Sequence, residues 1–504
     1  MVIHPPLLYA GFTGFVVPFA FCLAALLSGS LGERWIALTR RWTLISWAFL
    51  TCGIVLGGHW AYVELGWGGF WAWDPVENAS FLPWLTATAY LHSVMVQEQR
   101  GMLKVWNVSL AITTYALTVF GTFITRSGIV QSVHAFAATD VGWVFLAYLG
   151  VVLAIAIGLI AYRWQELKPE AKLQSYFSKE AAFLFNNLIL LAICFATFWG
   201  VMFPVISEAY AGEKSVVGPP FFNAVNVPLF LGLLFLMGVG PLIAWRRASI
   251  KQFVRLFMKP ILLASVVAIG FLFYEPSQPL AAIAFGLGCF VLHVVSAEVR
   301  RAAKVRQSFT KVAGAKSYVA AVRRKPRRYG GLLVHFGIAL MAIAITAASA
   351  YKIEKDLVLT LGSPGSVGGY DLELRNVKEE LLADYTAIIA EIEVRDRASG
   401  ETLNWMYPER RSYFASEEVT TEVSLRTTLR EDLYLALTGL DTQAATASTP
   451  LQNLPVLLKV YVNPLQVWVW FGACLVMCGA IVVILHGLFV KEHSLEQRTE
   501  LVTA

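Results

Sequence analysis

Imidazole is the side chain best suited to hold a transition metal near neutral pH, and the chain carries eight histidines at very different depths. His4 precedes the first long apolar run, and His134 follows RSGIVQSV in a loop. His92 and His335 lie inside apolar runs, in LHSVMV and GGLLVHFG. Two neutral imidazoles at one depth on different helices can clamp a haem iron from both faces. A second concentration of chemistry is GWGGFWAWDPVENASFLPW, from Gly66 to Trp84, which gathers Trp67, Trp71, Trp73 and Trp84 around Asp74 and Glu77. Glycine lets backbone lie flat, and indoles offer wide faces to a planar apolar ligand. With flanking histidines to ligate a central metal, the stretch describes a surface platform for a metalloporphyrin.

Plainer readings stand beside these. Tryptophans gather at the headgroup level of membranes, and intramembrane histidines often only hydrogen-bond between helices. Asp74-Pro75-Val76-Glu77 is also a helix start, with Asp at the cap, Pro first and Glu third. His293 and His486 sit near the inner ends of their runs, so depth alone does not single out His92 with His335. His59 and His493 read as interfacial or solvated.

The elements that must position these residues are membrane helices. Across 504 residues the mean hydropathy is +0.61, with 57% hydrophobic and 15% charged residues. Apolar runs of about 20 residues recur, the length that crosses a ~30 Å hydrocarbon core as a helix. The eleven candidate spans are roughly 7–29, 42–63, 80–96, 105–125, 141–162, 181–203, 226–244, 259–274, 279–297, 331–350 and 466–490. With the N-terminus outside, the inner segments hold 27 of the 40 basic residues, and the short outer loops hold only Arg126 and Lys214. That bias sets the N-terminus outside and the C-terminus inside. It also brings His4, His134 and the tryptophan stretch to one side. At 1.5 Å per residue, His92 falls about 18 Å below the outer surface and His335 about 7 Å above the inner one, within a helical turn of each other.

The net charge of +6 is therefore a membrane signature. The basic segment 303–330 has no aromatic interleaving, so an inner loop near anionic lipid accounts for it and nucleic acid does not. All six cysteines fall inside candidate spans, with no CxxC, which speaks against thiol redox work or haem attached to this chain's own thiols. MVIHPPLLY lacks a basic leader and the following run lacks an A-x-A site, so no cleavable signal peptide is expected.

Residues 351–465 differ in kind. DLVLTL, YDLELRNV, YTAIIAEIEV and VLLKVYV alternate and are rich in β-branched residues, between SPGSVGG, RASGET and TQAATASTP. The expected architecture is an all-α polytopic bundle of about eleven transmembrane helices with an inserted β-rich outer domain. The bundle covers 1–350, with the platform at about 64–84. The β-rich domain covers 351–465, and a final helix and inner tail cover 466–504.

WGGFWAWDPVEN resembles the tryptophan-rich WWD signature of haem-handling membrane proteins of cytochrome c maturation. HPPLLY, LHSVMV, TRSGIVQSVHAF and LVHFGIAL are similar to the four histidine contexts of the CcmF-type haem lyase components within that family, as are YPERRSY, TLREDLY and VYVNPL. The resemblance covers almost the whole chain. It implies a bacterial inner-membrane protein whose N-terminus and 351–465 domain are periplasmic. It implies a transient haem on the platform ligated by His4 and His134, and a resident haem b ligated by His92 and His335. Trp67, Trp71, Trp73 and Asp74 would form the platform, with Asp74 organising it rather than acting as an acid. Arg126 either pairs a haem propionate or anchors the interface.

The implied activity is thioether attachment of haem vinyls to the Cys-x-x-Cys-His of an apocytochrome c, with the resident haem passing electrons from quinol. The implied partners are the haem chaperone CcmE, apocytochrome c and a thiol-handling CcmH-type protein. The family usually carries further spans before HPPLLY, so the expectation is either a naturally split protein or an upstream portion outside this sequence. Competing readings are a lyase for a variant motif such as Cys-x-x-Cys-Lys, a haem-delivery protein of the same family, a secondary transporter with an aromatic gate, and a non-catalytic scaffold. Repeated halves and midplane polar sites, the marks of transporters, are not evident in the sequence.

Overall fold

The computed structural model describes the chain except residues 1, 131, 133–138, 170, 247–248, 311–313, 416–418, 442–449 and 504, and the side chains of 252, 309–310, 315 and 487–503. His134 thus lies outside the described residues. The chain divides into two compact units. One comprises 1–55, 72–339 and 473–504; the other comprises 56–71 and 340–472.

The first unit is helical. Its elements are α1 (His4–Gly14), α2 (Val16–Ser28), α3 (Arg34–Glu64), α4 (Pro75–Arg100), α5 (Lys104–Ser127), α6 (Val141–Tyr162), α7 (Lys179–Ala211), α8 (Pro219–Val239), α9 (Ile250–Tyr274), α10 (Pro279–Thr310), α11 (Ala315–Arg324), α12 (Pro326–Ala350) and α13 (Gln466–Thr503). Residues 56–64 of α3, 340–350 of α12 and 466–472 of α13 belong to the second unit. Pro18 lacks an N–H to donate to the carbonyl of Gly14, so the first apolar run breaks into α1 and α2 at Phe15.

Among the described residues, ten helical stretches are long and apolar enough to cross a membrane, counting α1 with α2 as one. The expected span at 80–96 forms the long helix α4, but it is less apolar than the others. Its buried face includes Asn78, Thr86, Ser93 and Gln97. Such polarity is tolerable because α4 packs against α5 and α7 inside the bundle rather than against lipid. Asn107 on α5 donates to the Gln97 side-chain oxygen at 2.6 Å, and Thr114 donates to Thr86 at 2.9 Å. Leu82, Leu85 and Ala89 of α4 join Leu110, Phe120 and Phe123 of α5 in the core.

Without a hydrophobic drive between helices in lipid, close approach through small residues holds the bundle. A Cβ on Gly11 would sit 2.6 Å from Leu50 N, and one on Gly53 would sit 2.8 Å from Leu8. These contacts bring α1 flush against α3. Gly479 meets Gly330 in the same way, so α12 and α13 cross backbone to backbone.

The second unit is a β-sandwich. One sheet orders its strands β1-β10-β9-β8 and the other β2-β3-β4-β6-β7, with β5 on β4. The strands are β1 (Ile353–Leu359), β2 (Pro364–Val367), β3 (Tyr370–Leu381), β4 (Tyr385–Asp396), β5 (Thr402–Met406), β6 (Glu409–Tyr413), β7 (Val419–Glu422), β8 (Ser424–Thr427), β9 (Glu431–Leu440) and β10 (Val456–Pro464). Alternate residues Leu372 and Leu374, Ile392 and Val394, Leu433, Leu435 and Leu437, and Leu458, Val460 and Val462 face one another as a core. The four expected strand segments appear as β1, β3, β4 and β10. SPGSVGG, read as a turn, contains the short strand β2, which pairs Pro364–Val367 with β3.

Candidate functional site

His92 and His335 come together inside the helical unit. Their ring centres are 6.2 Å apart and the rings are within 10° of parallel. Two in-line metal–imidazole bonds of about 2.0 Å, plus roughly 1.1 Å from each nitrogen to its ring centre, give about 6 Å. The spacing fits one metal ion between the two rings. His92 Nδ1 lies 2.7 Å from the Thr88 carbonyl, one turn back on α4. Donating there fixes the tautomer and leaves the Nε2 lone pair for a metal. His335 Nδ1 is buried with no hydrogen-bond partner among the described residues.

The surroundings are apolar and aromatic. Phe183 of α7 lies 5.8 Å from the His92 ring, and Trp245 lies 6.0 Å beyond it. The two glycines of the GGLLVHFG segment do different work. Gly330 is consumed by the crossing with α13, whereas a Cβ on Gly331 would meet nothing within 4 Å. Gly331 precedes His335 by one turn, so the open space lies on the ligand face of α12. His293 and His486 make no ring contact with the pair among the described residues. Nor does any group of three or more His, Cys, Asp or Glu converge there, which leaves a two-histidine arrangement and not a protein-only metal cage.

His4 is the other described candidate ligand. Its Nδ1 lies 2.7 Å from the Gly53 carbonyl, across the tight α1–α3 contact. That pairing holds the imidazole against α3.

The tryptophan stretch falls across both units. In the helical unit, Asp74 caps α4 by accepting from Val76 N–H at 2.9 Å. Glu77 reaches back to the N–H groups of Asp74 and Ala72 at 3.1 and 3.0 Å, closing the capping box. Asp74 also accepts from the Ser132 hydroxyl at 2.6 Å, tying the loop after α5 to this cap. Trp73 sits at φ +58°, a costly left-handed conformation for a bulky residue, about 1–2 kcal/mol. The neighbourhood over-determines it. Asn78 donates to its carbonyl at 2.8 Å, its indole donates to Asn223 at 2.9 Å, and Phe222 stacks on the indole at 5.0 Å. One face of Trp73 is therefore already covered by protein. Trp84 is a bundle residue, donating to Thr51 and stacking on Phe81 and Trp47. Arg126 is exposed in the last turn of α5.

In the second unit, Trp67 and Trp71 ride on a turn whose backbone is held from below. Gly66 and Gly68 have φ of +71° and +65°. The Gly68 carbonyl accepts from Asn463 Nδ2 at 3.3 Å, and the same nitrogen donates to the Tyr62 hydroxyl at 3.1 Å. Tyr62 in turn donates to Asp432 at 3.1 Å. A Cβ on Gly68 would stand 2.5 Å from the Tyr461 ring. Burial pushes the Asp432 carboxyl up to about 6, against the pull of its hydroxyl donors Tyr62 and Thr427. TLREDLY and VYVNPL contain Asp432 and Asn463, and nothing local in either segment shows what these two residues hold. A polar residue flanked by core-facing β residues was the only available signal.

The sequence profile described as Cytochrome C assembly protein matches residues 1–130, and the one described as CcmF C-terminal beta-sandwich matches residues 350–464. The cytochrome c-type biogenesis protein CcmF of Pseudomonas aeruginosa is 38% identical, over 95% of this chain and 70% of its own length. CcmF of Escherichia coli is 33% identical, over 98% and 72%, and NrfE of Haemophilus influenzae is 31% identical, over 95% and 72%. A solved structure titled Cytochrome c Heme Lyase CcmF superposes with a TM-score of 0.77 at 29% identity, covering 95% of this chain and 71% of that one. The chain is a polytopic membrane protein belonging to the CcmF family of cytochrome c-type biogenesis proteins.

Proposed function

We propose that the chain is a haem lyase component that holds one resident haem b between His92 and His335 and processes a second haem as substrate on the tryptophan stretch. The observation that carries this reading is the near-parallel pair of imidazoles at 6.2 Å, on α4 and α12, in an apolar setting. When bound, a bis-histidine haem supplies one-electron chemistry, with membrane quinol as the electron source.

The substrate haem docks on Trp67, Trp71 and Trp73, ligated by His4 and His134 and delivered by the chaperone CcmE. An apocytochrome c, kept reduced by a CcmH-type partner, presents its two thiols to the vinyl groups. Each thiol S–H adds across one vinyl C=C, forming an S–C bond and placing the proton on the other vinyl carbon, with no net redox change. The chain's own residues position rather than exchange protons. The Thr88 and Gly53 carbonyls orient the imidazoles, and the Asp74 cap and the Asn463–Tyr62–Asp432 chain hold the two ends of the tryptophan stretch. Holding thiol and vinyl in register makes a bimolecular addition effectively unimolecular. On this reading the N-terminus and the sandwich are periplasmic and the protein resides in the bacterial inner membrane.

The test is attachment. His4→Ala should abolish thioether formation while sparing the resident haem, and normal cytochrome c assembly in that variant would remove His4 from the platform.

A further inference from the structure

We propose that Lys179 is a carboxylate-binding group that receives a propionate of the haem held by His92 and His335. The proposal rests on the reading of that histidine pair and concerns which end of the site takes the porphyrin's acidic edge.

Lys179 opens α7 and stands one turn before Phe183, whose ring lies against His92 at 5.8 Å. Its ammonium sits over the Trp245 ring at 5.5 Å, and Trp245 also touches Phe183 at 6.0 Å. Thus the lysine is folded into the wall of the histidine site rather than stretched away from it.

Its neighbours do not neutralise it by contact. Glu180 is already paired with Arg100 at 2.9 Å and accepts the Arg246 backbone N–H at 2.9 and 3.1 Å. Glu298 is paired with Arg328 at 2.5 Å and Arg301 at 3.4 Å. Among the described residues Lys179 makes no ion pair. A half-buried ammonium without a counter-ion is costly, and a ligand that brings its own carboxylates removes that cost. A haem b carries two. A Cβ at Gly331, one turn from His335 and one turn from Arg328, would meet nothing within 4 Å, so the helix face on this side is not filled by protein. A lysine that merely reached for anionic headgroups would extend toward solvent; this one rests on Trp245.

The experiment is a charge series, Lys179→Arg, Lys179→Gln and Lys179→Glu, in the full-length protein purified in detergent. Release of ferric haem to excess apomyoglobin and the haem midpoint potential are both recorded. Losing one charge-assisted hydrogen bond should speed release about tenfold in Lys179→Gln and more in Lys179→Glu. The midpoint should fall, because the lost cation favoured the reduced haem. Lys179→Arg should restore both. Wild-type protein loaded with haem dimethyl ester should release it at the Lys179→Gln rate, with no further effect of Lys179→Gln. Unchanged release and potential across the series overturn the proposal. So does an effect confined to nanodiscs of anionic lipid, which makes the partner a headgroup. His92→Ala is the control: if that variant keeps its haem, the histidine reading has failed, whereas if it loses haem and the lysine series is flat, only the propionate assignment has.

Discussion

Gly68→Ala isolates the turn that carries Trp67. At φ +65° a side chain costs about 1–2 kcal/mol. The added methyl would also stand 2.5 Å from the Tyr461 ring carbons, a separation that something must relieve. Tyr461 cannot easily yield: it is buried, packs edge-on against Tyr434 at 5.4 Å, and lies under Lys352 at 4.7 Å. Overpacking of that kind costs about 1–3 kcal/mol, so the local penalty is roughly 2–5 kcal/mol. The cheapest relief is to lift the turn, which breaks the Asn463 contact to the Gly68 carbonyl and moves Trp67. The assay is haem-stained cytochrome c in cells whose only copy is the variant, alongside the absorption spectrum of the purified protein. Attachment should fall at least tenfold while the resident haem stays. Gly69→Ala is the internal comparison, because a Cβ there meets nothing within 4 Å, and it should cost much less. Equal attachment by Gly68→Ala and wild type, or equal loss at both positions, would refute the reasoning.

Other outcomes follow from single contacts. The Asp432 carboxyl is raised in the folded state, so the folded form holds its proton more tightly, and stability should fall as pH rises from about 4 through about 6. Asp432→Asn should flatten that dependence in thermal-shift midpoints measured from pH 5 to 8. Glu393, held by Arg395, Thr402 and Arg375, is depressed to about 2 and contributes stability above its unfolded value. Glu393→Gln should therefore lower the melting midpoint at pH 7 and by less at pH 2.5, where part of that stability is already lost. Gly331→Leu enters open space and should leave the fold intact yet cut haem content, whereas Gly479→Leu should force α12 from α13 and lower stability itself.

What the sequence made legible is what regular geometry carries. Helical rise placed His92 and His335 within a turn of each other, and their rings are neighbours. The Asp-Pro-Val-Glu signature foretold the capping box at α4. Period-two patterning found β1, β3, β4 and β10 but missed the ten-residue β9, whose Asp432–Leu437 run is buried on both faces and so does not alternate, and short strands such as β7 and β8, four residues each, where alternation has no room to show. Long-range partners were invisible. Nothing local ties Trp73 to Phe222 and Asn223, some 150 residues on, or Tyr62 to Asp432 and Asn463. The two glycines beside His335 looked alike in sequence, and only packing against Gly479 separates them. The polar face of α4, read simply as a span, becomes intelligible once α5 and α7 cover it.

The most direct test is the absorption and electron paramagnetic resonance spectrum of the purified full-length chain, with His92→Ala and His335→Ala beside it. The account predicts a red protein with a low-spin bis-histidine signature at one haem per chain, lost or converted to high spin in either variant. A colourless wild type, or variants that retain the full low-spin signal, would contradict it.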